Sequence, residues 1–311
     1  MRKTSLTTIH NIARKNDKVI FIGSDLGAGL LDDMKKELPK QFLMEGVSEQ
    51  SIIGMSAGLA MEGFIPYVNT IATFITRRCF EQIAIDLCLH NLPVKLIANG
   101  GGAVYAPLGP THLSIDDIGI LRTLPNMTIV APCDSIEIKK LIIESITWPS
   151  PMYIRLGKGG DEIITNDDVD FKIGKALIKK EPHIGLFVTT GVMTQVALEA
   201  CKILDKENII CGVMHMHTIK PIDGNSIKKY FPKVESVITI EEHSLIGGLG
   251  SAVLEFCSNE LPQELHKISR IGIPDKFADQ YGSQKTLLDH WNINSNEASN
   301  KMREKLRKFI N

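Results

Sequence analysis

The chain has 311 residues, 43% of them hydrophobic, and its 35 basic and 36 acidic residues leave a formal net charge of -1. This length favours two domains, and the balanced charge excludes the broad basic surface that nucleic acids and anionic membranes require. The six cysteines are far apart and form no Cys-x-x-Cys pair, so we expect reduced, buried thiols. No stretch resembles a signal peptide or approaches the roughly 20 apolar residues of a membrane span, so we expect a cytoplasmic protein.

The first half of the chain alternates β-rich runs with amphipathic stretches, beginning with "KVIFIGSDL" and ending with "PMYIRLG". The hydrophobic period switches between about 2 and about 3.6 residues, which predicts strands and helices alternating around a mostly parallel sheet. Ligands bind outside the carboxyl ends of the strands in such sheets. We therefore assign residues 1–160 to a first α/β domain and expect its chemistry in the loops that follow the strands.

After "YIRLG" the chain becomes charged and loses its periodicity, which predicts a linker over residues 161–180. A second α/β pattern runs from "IGLFVTTGV" to "HKISRIGIPD", and the tail "SNEASNKMREKLRKFIN" is typical of a terminal amphipathic helix. The sequence thus predicts an α/β fold of two consecutive three-layer α/β domains with mostly parallel sheets, the second over residues 181–311. The absence of an internal repeat excludes a solenoid.

Two glycine-rich stretches, "NGGGAVYAPLG" and "IGGLGSAV", do not place glycine at the first, third and sixth positions of a dinucleotide-binding loop. The sequence also lacks the G-x-x-x-x-G-K-[ST] loop of nucleoside triphosphate hydrolases. No motif therefore supports a dinucleotide site or nucleotide hydrolysis.

Glu49 lies in the largely apolar stretch "MEGVSEQSIIGMSAGLAMEG", where a helix would turn it toward the core. One interpretation is a partly solvated helix residue. The other is a carboxylic acid kept in a low dielectric, where it can share a proton with a ring nitrogen of a ligand.

The stretch "TFITRRCF" places Phe74, Arg77 and Phe80 at a spacing compatible with a helix. Such a stripe is more often part of a core. Arg77 and Arg78 interrupt it, however, and phenylalanine together with arginine can sandwich a planar heterocycle.

Two further residues follow turns or strands where polar chemistry is expected. His112 stands in "GPTHLS" after Gly109 and Pro110, where an imidazole can move a proton to or from a sugar hydroxyl, although a single histidine is usually structural. Arg155 in "YIRLGKGG" ends a predicted strand beside Lys158, a place suited to binding phosphate, with a surface salt bridge as the alternative.

Seven collinear segments between Asp25 and Asn292 resemble the C-terminal half of the transketolase family. The resemblance implies a pyrimidine-binding domain followed by the transketolase C-terminal domain. It also implies ketol transfer between sugars or sugar phosphates with thiamine diphosphate and magnesium. The segments are "EGVSEQSIIGMSAGLAMEGFIPYV", "TFITRRCFEQI", "GPTHLSIDDIGILRTLPNMTIVAPCD", "YIRLG", "HTIKPID", "EEHSLIGGLGSAV" and "DKFADQYG".

The resemblance also implies roles for residues of the cofactor site. Glu49 matches the glutamate that contacts the aminopyrimidine ring and favours its imino tautomer. Phe74 and Phe80 match aromatic positions around that ring, and Arg77 stands where transketolases usually carry a third aromatic residue. His112 resembles the histidine that contacts the substrate, so Glu49 and His112 are the expected catalytic residues.

Substrate-binding positions agree only in part with the family. Arg155 matches the arginine that binds the substrate phosphate, and Asn99 stands where transketolase has a histidine and deoxyxylulose phosphate synthase an arginine. Leu108 replaces the aspartate before the "GPTH" glycine, and Gly29 stands at the position of a phosphate-contacting serine. Because losing a hydrogen-bonding partner changes discrimination between substrates, we expect ketol transfer with an unusual donor or acceptor.

The Gly-Asp-Gly motif and later asparagine that hold the metal and diphosphate in full-length transketolases do not occur in this sequence. The resemblance therefore implies one subunit of a split transketolase, without metal ligands of its own, that needs a separately encoded diphosphate-binding subunit. A dimer of heterodimers is the assembly expected by analogy. The alternatives are a deoxyxylulose phosphate synthase-like enzyme, the β subunit of a 2-oxo acid dehydrogenase, and a non-catalytic subunit that only stabilises its partner.

Overall fold

The computed structural model describes residues 1–24, 29–157 and 159–309. Contacts divide the chain into two compact units. The first comprises Met1–Gly101 and Ile120–Lys172, and the second comprises Gly102–Gly119 and Ile173–Asn311. The second unit therefore includes a segment from the middle of the first half of the sequence.

The first unit is built on a parallel sheet. Its strands are β1 (Val19–Gly23), β2 (Phe42–Met44), β3 (Ile65–Ile71), β4 (Lys95–Asn99), β5 (Thr128–Val130) and β6 (Met152–Leu156). They lie in the order β5-β6-β4-β3-β1-β2, and every neighbouring pair is parallel. β1, β4 and β6 are buried along their whole length, as expected for parallel strands covered on both faces.

The first helix precedes β1, and the other helices before the second sheet lie between these strands in the sequence. They are α1 (Arg2–Ala13), α2 (Asp32–Glu37), α3 (Glu49–Met61), α4 (Ala72–Thr76), α5 (Phe80–Gln82), α6 (Asp117–Arg122) and α7 (Ser135–Ser145). α5 continues into a π-helical segment at Ile83–Leu89. Asp134 initiates α7, because its carboxylate accepts hydrogen bonds from the backbone N–H groups of Ile136 and Glu137, each at 3.0 Å.

In its described residues, the second unit contains a mixed sheet, five further α-helices and short 3₁₀-helices at Ala106–Leu108, Phe231–Lys233 and Pro262–Lys267. The strands of this unit are β7 (Leu177–Lys180), β8 (Gly185–Thr189), β9 (Cys211–His215), β10 (Thr218–Lys220), β11 (Ser236–Ser244) and β12 (Ile268–Ile273), and all of them except β10 belong to this sheet. The sheet has the order β12-β11-β8-β9-β7, with β7 antiparallel to β9 and the other pairs parallel. The helices are α8 (Met193–Asp205), α9 (Gly224–Tyr230), α10 (Leu249–Glu260), α11 (Gln284–His290) and α12 (Ser295–Leu306).

The core of the second unit combines its sheet and helices with the segment 102–119. Buried side chains of β8, β9, β11, α8 and α12 form one apolar cluster. Four residues of the segment belong to the same cluster: Ala103, Ala106, Leu113 and Ile115. The segment is therefore an integral part of this core.

A buried lysine joins the start of β4 to the turn before β6. Lys95 is fully buried, and its Nζ donates hydrogen bonds to the carbonyl oxygens of Pro93 at 3.0 Å and Trp148 at 2.8 Å. Burial lowers the pKa of Lys95 to about 7, because an apolar environment disfavours the charged ammonium. The lysine thus ties together two backbone segments that are distant in sequence.

The structure confirms the predicted α/β fold class with two mostly parallel sheets. The unit boundary at Lys172 and Ile173 falls inside the stretch 161–180 that was assigned to a linker. Residues 102–119 group with the second unit, although the predicted domain 1–160 includes them, and the predicted domain limits stay a prediction. Within the described part of the chain, no helix combines the length and apolar character needed to cross a bilayer.

Candidate active site

A polar network closes the carboxyl edge of the first sheet. Ser24 directly follows β1, and its Oγ donates to Thr70 Oγ1 of β3 at 2.7 Å. Asn99 ends β4, and its Nδ2 donates to Asn69 Oδ1 at 2.9 Å and to the Thr70 carbonyl at 3.0 Å. All four side chains are buried. Of these four, only Asn99 was predicted from the sequence, although the polar residues at the ends of the apolar runs "FIGS" and "YVNT" are a usable signal for the others.

Asn99 serves the sheet in this structure. Its side-chain amide donates both of its hydrogen bonds to β3, and the residue is only 1% exposed. Its Oδ1 is buried and accepts no hydrogen bond from the described residues. A direct contact between Asn99 and a substrate stays a prediction.

Arg155 lies at the same edge, on β6 beside Ala98 of β4. Its side chain covers Gly101, where an added Cβ would lie 2.6 Å from Arg155 Cγ and Nε. The residue is only 7% exposed, so the surface salt bridge considered from the sequence is wrong. Lys158, which the sequence placed beside Arg155, lies outside the described residues. The phosphate-binding role of Arg155 stays a prediction.

Glu49 is the first residue of α3 and is only 3% exposed. Its Oε2 accepts a hydrogen bond from Arg78 Nη1 at 2.6 Å. The position at the helix N-terminus favours a negative charge, since the free N–H groups of the first turn point toward it. This burial excludes the interpretation of Glu49 as a partly solvated helix residue.

Arg78 joins Glu49 to the aromatic residue Phe74. The Arg78 guanidinium carbon lies 4.7 Å from the centroid of the Phe74 ring, a cation–π distance. Arg77 is the arginine predicted from the sequence, whereas the arginine that pairs with Glu49 and covers Phe74 is its neighbour Arg78. The expected helical stripe is interrupted, because α4 ends at Thr76 and α5 begins at Phe80.

The remaining predicted cofactor residues, Arg77 and Phe80, lie close to Arg78 in the sequence. Phe80 is half-buried at the start of α5, and Arg77 is exposed at the end of α4. Their contacts with a cofactor stay predictions.

The cysteines agree with the sequence analysis, since all six are free and buried. Cys79, which follows Arg78, is fully buried. Burial, with a smaller contribution from the nearby Glu49 carboxylate, raises the pKa of the Cys79 thiol to about 12. Cys79 therefore stays a neutral thiol, and no thiolate competes with Glu49 for Arg78.

His112 belongs to the second unit, on a loop between Gly102 and Ser114. An antiparallel bridge closes this loop, with Gly102 N–H donating to the Ser114 carbonyl at 2.8 Å and Ser114 N–H donating to the Gly102 carbonyl at 3.0 Å. The His112 ring is half-exposed, and its Nδ1 lies 2.9 Å from Thr111 Oγ1. A side chain with this exposure is available to a ligand, and the catalytic role of His112 stays a prediction.

Two of the residues that depart from the family pattern, Leu108 and Gly29, are exposed and lie outside the strands. Leu108 is 53% exposed and precedes Gly109, whose φ of +77° favours glycine. An added Cβ on Gly109 would lie 2.6 Å from Tyr281 Cε1, so the exposed Tyr281 ring would have to move. Gly29 is exposed in a turn with φ +86°, and the preceding Asp25 and Leu26 lie outside the described residues.

Residues 1–160, more than half of the chain, match the family described as transketolase, pyrimidine binding domain. The chain belongs to the transketolase family. Residues 174–297 match the transketolase C-terminal domain. The order of these two matches is the order of the two α/β units, so this transketolase homologue carries the pyrimidine-binding and C-terminal domains predicted from its sequence.

Similar proteins include both chains of about this length and longer ones. A subunit of the apulose-4-phosphate transketolase of Phocaeicola vulgatus is 35% identical over 295 residues, covering 94% of this chain and 93% of the relative. A solved split-gene transketolase, described as an inactive β4 tetramer, is 31% identical with a TM-score of 0.90 and covers 98% of both chains. The 1-deoxy-D-xylulose-5-phosphate synthase of Microcystis aeruginosa is 33% identical, but this chain spans only 44% of its length.

The transketolase family implies thiamine diphosphate as cofactor, and the first unit has side chains that fit its aminopyrimidine ring. Glu49 offers a buried carboxylate to a ring nitrogen. Phe74 has a ring face that already accepts a planar cation, Arg78, beside that carboxylate. A planar, proton-sharing heterocycle needs the same two surfaces, a carboxylate and an aromatic face.

Proposed function

We propose that this chain is the C-terminal subunit of a thiamine diphosphate-dependent transketolase, which transfers a two-carbon ketol unit between sugars or sugar phosphates. The observation that carries the proposal is the buried carboxylate of Glu49 beside Phe74 in a pyrimidine-binding domain. A buried carboxylate without a catalytic or structural use is rare, because removing a charge from water is unfavourable unless it is paired. Thiamine diphosphate supplies the carbanion stabilisation that breaking and making a carbon–carbon bond beside a carbonyl requires.

The residues of this chain have separate tasks in that proposal. Glu49 holds a proton shared with the ring nitrogen of the aminopyrimidine, in a site from which water is largely excluded. Phe74 and Phe80 orient the ring by stacking and packing. Arg77 takes the place of a third aromatic residue. Arg78 gives up its hydrogen bond to Glu49 when the ring binds, because Arg78 Nη1 already occupies the Glu49 carboxylate oxygen at 2.6 Å.

Three residues carry substrate recognition in this proposal. His112 binds the substrate and moves a proton at a sugar hydroxyl, for which a half-exposed imidazole is suited. Arg155 binds the phosphate of a phosphorylated sugar, and Asn99 contributes at the same sheet edge. Leu108 offers no hydrogen bond from its side chain to the sugar, so we expect a donor or acceptor other than the usual pentose phosphates.

A second polypeptide completes the enzyme in this proposal. It supplies the ligands for the diphosphate and for magnesium, which this chain holds at most in part. Two relatives support a need for this partner: the one named as a subunit of apulose-4-phosphate transketolase, and the split-gene transketolase described as inactive in its β4 form. The proposed assembly is a heterotetramer built as a dimer of heterodimers, located in the cytoplasm.

The test combines binding and turnover. Thiamine diphosphate with magnesium is titrated calorimetrically into this chain alone and into the complex with its diphosphate-binding partner. We expect binding and ketol transfer only in the complex. Glu49→Gln should abolish ketol transfer in the complex, whereas Glu45→Gln, which alters an exposed glutamate with the same loss of charge, should keep it. Full ketol transfer by the Glu49→Gln complex contradicts the catalytic assignment and favours a non-catalytic stabilising subunit.

A deoxyxylulose phosphate synthase-like reaction is the second candidate, favoured by the 33% identity to the synthase over 91% of this chain. It differs from ketol transfer in using a 2-oxo acid donor, as the 2-oxo acid dehydrogenases also do. Carbon dioxide release from pyruvate by the complex separates the candidates. Release with a sugar phosphate acceptor supports the synthase, release with an artificial electron acceptor supports the dehydrogenase, and no release supports transketolase.

A further inference from the structure

Three consecutive residues at the end of β11 bind the segment 102–119. The Glu242 carboxylate accepts from Ala103 N–H at 2.8 Å. The His243 Nε2 accepts from Gly119 N–H at 3.1 Å, and the Ser244 N–H donates to the Ile115 carbonyl at 2.7 Å. Residues 242–244 therefore hold the segment near its two ends, at Ala103 and at Ile115 and Gly119.

Glu242 acts at the neck of the loop that carries His112. Its side chain lies over Gly102, where an added Cβ would lie 2.4 Å from Glu242 Cδ. Gly102 has φ +74° and forms the bridge to Ser114 that closes the loop. The carboxylate thus contacts the backbone at the point where the loop is closed.

Glu242 also connects this neck to α11. The Nε2 of Gln284, the first residue of that helix, donates to Glu242 Oε1 at 2.8 Å and to Oε2 at 3.0 Å. Glu242 is only 2% exposed, so its charge depends on these protein donors rather than on water. Its neighbour Glu241 has a different task, since its two oxygens accept from the N–H groups of Leu249 and Gly250 at the start of α10.

We propose that Glu242 is a positioning residue for ketol transfer: its carboxylate ties the loop 102–114 to β11 and α11 and thereby fixes the position of His112. The proposal rests on the proposed function, because it assigns Glu242 an effect through His112. A catalytic group must be held to within a fraction of an ångström, and buried neighbours that fix its backbone provide that precision.

The first experiment measures the loop directly by hydrogen exchange on the complex. Glu242→Ala should raise exchange in residues 102–114 about tenfold or more, because the Ala103 amide and the neck lose their acceptor. Amides of β8 and β9 should keep their protection. Glu242→Gln retains an oxygen for Ala103 N–H and should restore most of the protection. Glu235→Ala, which removes an exposed glutamate just before β11, is the matched control and should change neither region.

The second experiment is a double-mutant cycle in ketol transfer with Glu242→Ala and His112→Ala. Losing a hydrogen bond to a buried charged group lowers kcat/KM by about 10- to 100-fold if it displaces a catalytic side chain. We expect that loss in the wild-type background, recovery in Glu242→Gln, and almost no further loss in the His112→Ala background. Equal losses in both backgrounds overturn the proposal.

The two experiments separate the two proposals. A wild-type complex without ketol transfer overturns the proposed function but leaves hydrogen exchange as the test of the neck. Unchanged exchange in Glu242→Ala overturns the positioning role even when ketol transfer is present. If Glu242→Ala does not fold, Gln284→Ala replaces it, since this variant keeps the carboxylate and removes its donor on α11. Unchanged exchange and unchanged turnover in Gln284→Ala likewise overturn the proposal.

Discussion

Replacing Arg78 by methionine tests whether the pair with Glu49 determines stability in the first unit. Methionine keeps much of the side-chain length and removes the guanidinium that lies 2.6 Å from Glu49 Oε2 and 4.7 Å from the Phe74 ring centroid. The Glu49 side chain is 3% exposed, so its carboxylate cannot simply turn to water. The substitution therefore leaves a buried charge with a missing partner.

The magnitude follows from the exposure of the two partners. A hydrogen bond to a charged group contributes about 1.5–3 kcal/mol, and a cation over an aromatic ring at an exposed site contributes about 0.5–1 kcal/mol. Because the Arg78 side chain is 42% exposed, solvent screening reduces the ionic part. We expect Arg78→Met to lower the free energy of unfolding by about 2 kcal/mol.

The assay is urea unfolding followed by fluorescence, since urea does not screen the ion pair. The chain has two tryptophans, so a Trp291→Phe background leaves Trp148 as the reporter of the first unit. In a double-mutant cycle, Arg78→Met in the Glu49→Gln background should lower the free energy of unfolding by only about 0.5 kcal/mol, which is the contribution of the contact with the Phe74 ring. An equal effect of Arg78→Met with Glu49 and with Gln at position 49 refutes the reasoning.

Three further outcomes are expected. In the complex, Arg78→Met should lower the calorimetric Kd for thiamine diphosphate, because the guanidinium no longer competes for the ring site, and an unchanged Kd would show that Arg78 keeps its place when the cofactor binds. Lys95 has a folded-state pKa of about 7 against an ordinary value of 10.5, so protonation opposes folding increasingly as pH falls from about 10 to 7. In denaturant titrations, the stability of wild type relative to Lys95→Met should be about 2–3 kcal/mol greater at pH 9 than at pH 6. A stability difference that does not change with pH would contradict the lowered pKa. Gly101→Ala should raise the KM for a phosphorylated acceptor more than for an unphosphorylated one, because the new Cβ would meet Arg155 at 2.6 Å. The control is Gly58→Ala in α3, whose new Cβ meets nothing within 4 Å. It should leave KM unchanged and add about 0.5–1 kcal/mol of stability.

Local patterns in the sequence were sufficient for the sheets and for Glu49. The alternation of apolar strands with amphipathic helices depends only on residues that are close in the sequence, and both sheets have the strands that it predicts. Glu49 was identifiable because a carboxylate in an apolar stretch is unusual, and this is visible in one sequence without any comparison. Polar residues at the strand ends, such as Asn69 and Thr70, gave the same kind of signal but were not singled out.

The choice between Arg77 and Arg78 could not be made from spacing. A continuous helix places residues three and four apart on one face, so both arginines were compatible with Phe74. The break between Thr76 and Phe80 decides the outcome in favour of Arg78, and nothing in "TFITRRCF" marks that break. Tertiary packing sets the end of such a short helix.

The grouping of residues 102–119 with the second unit was also beyond local patterns. The contact between Ala103 and Glu242 spans 139 positions in the sequence, and no periodicity reports on such a distance. The glycine-rich letters around Gly102 indicated a turn, but they gave no information about which core the turn packs against.

This long-range grouping determines where the chain can be divided. The sequence suggests that the chain can be cut inside residues 161–180 into two domains. The C-terminal fragment of such a cut would lack residues 102–119, which fill part of its core. Its buried Glu242 would lose the Ala103 donor, and the apolar sites of Ala103, Ala106 and Leu113 would be left open to water. Recombination of family members, whether in evolution or in the laboratory, should therefore succeed when the exchanged C-terminal region travels with its matching residues 102–119, and should give insoluble fragments when it does not.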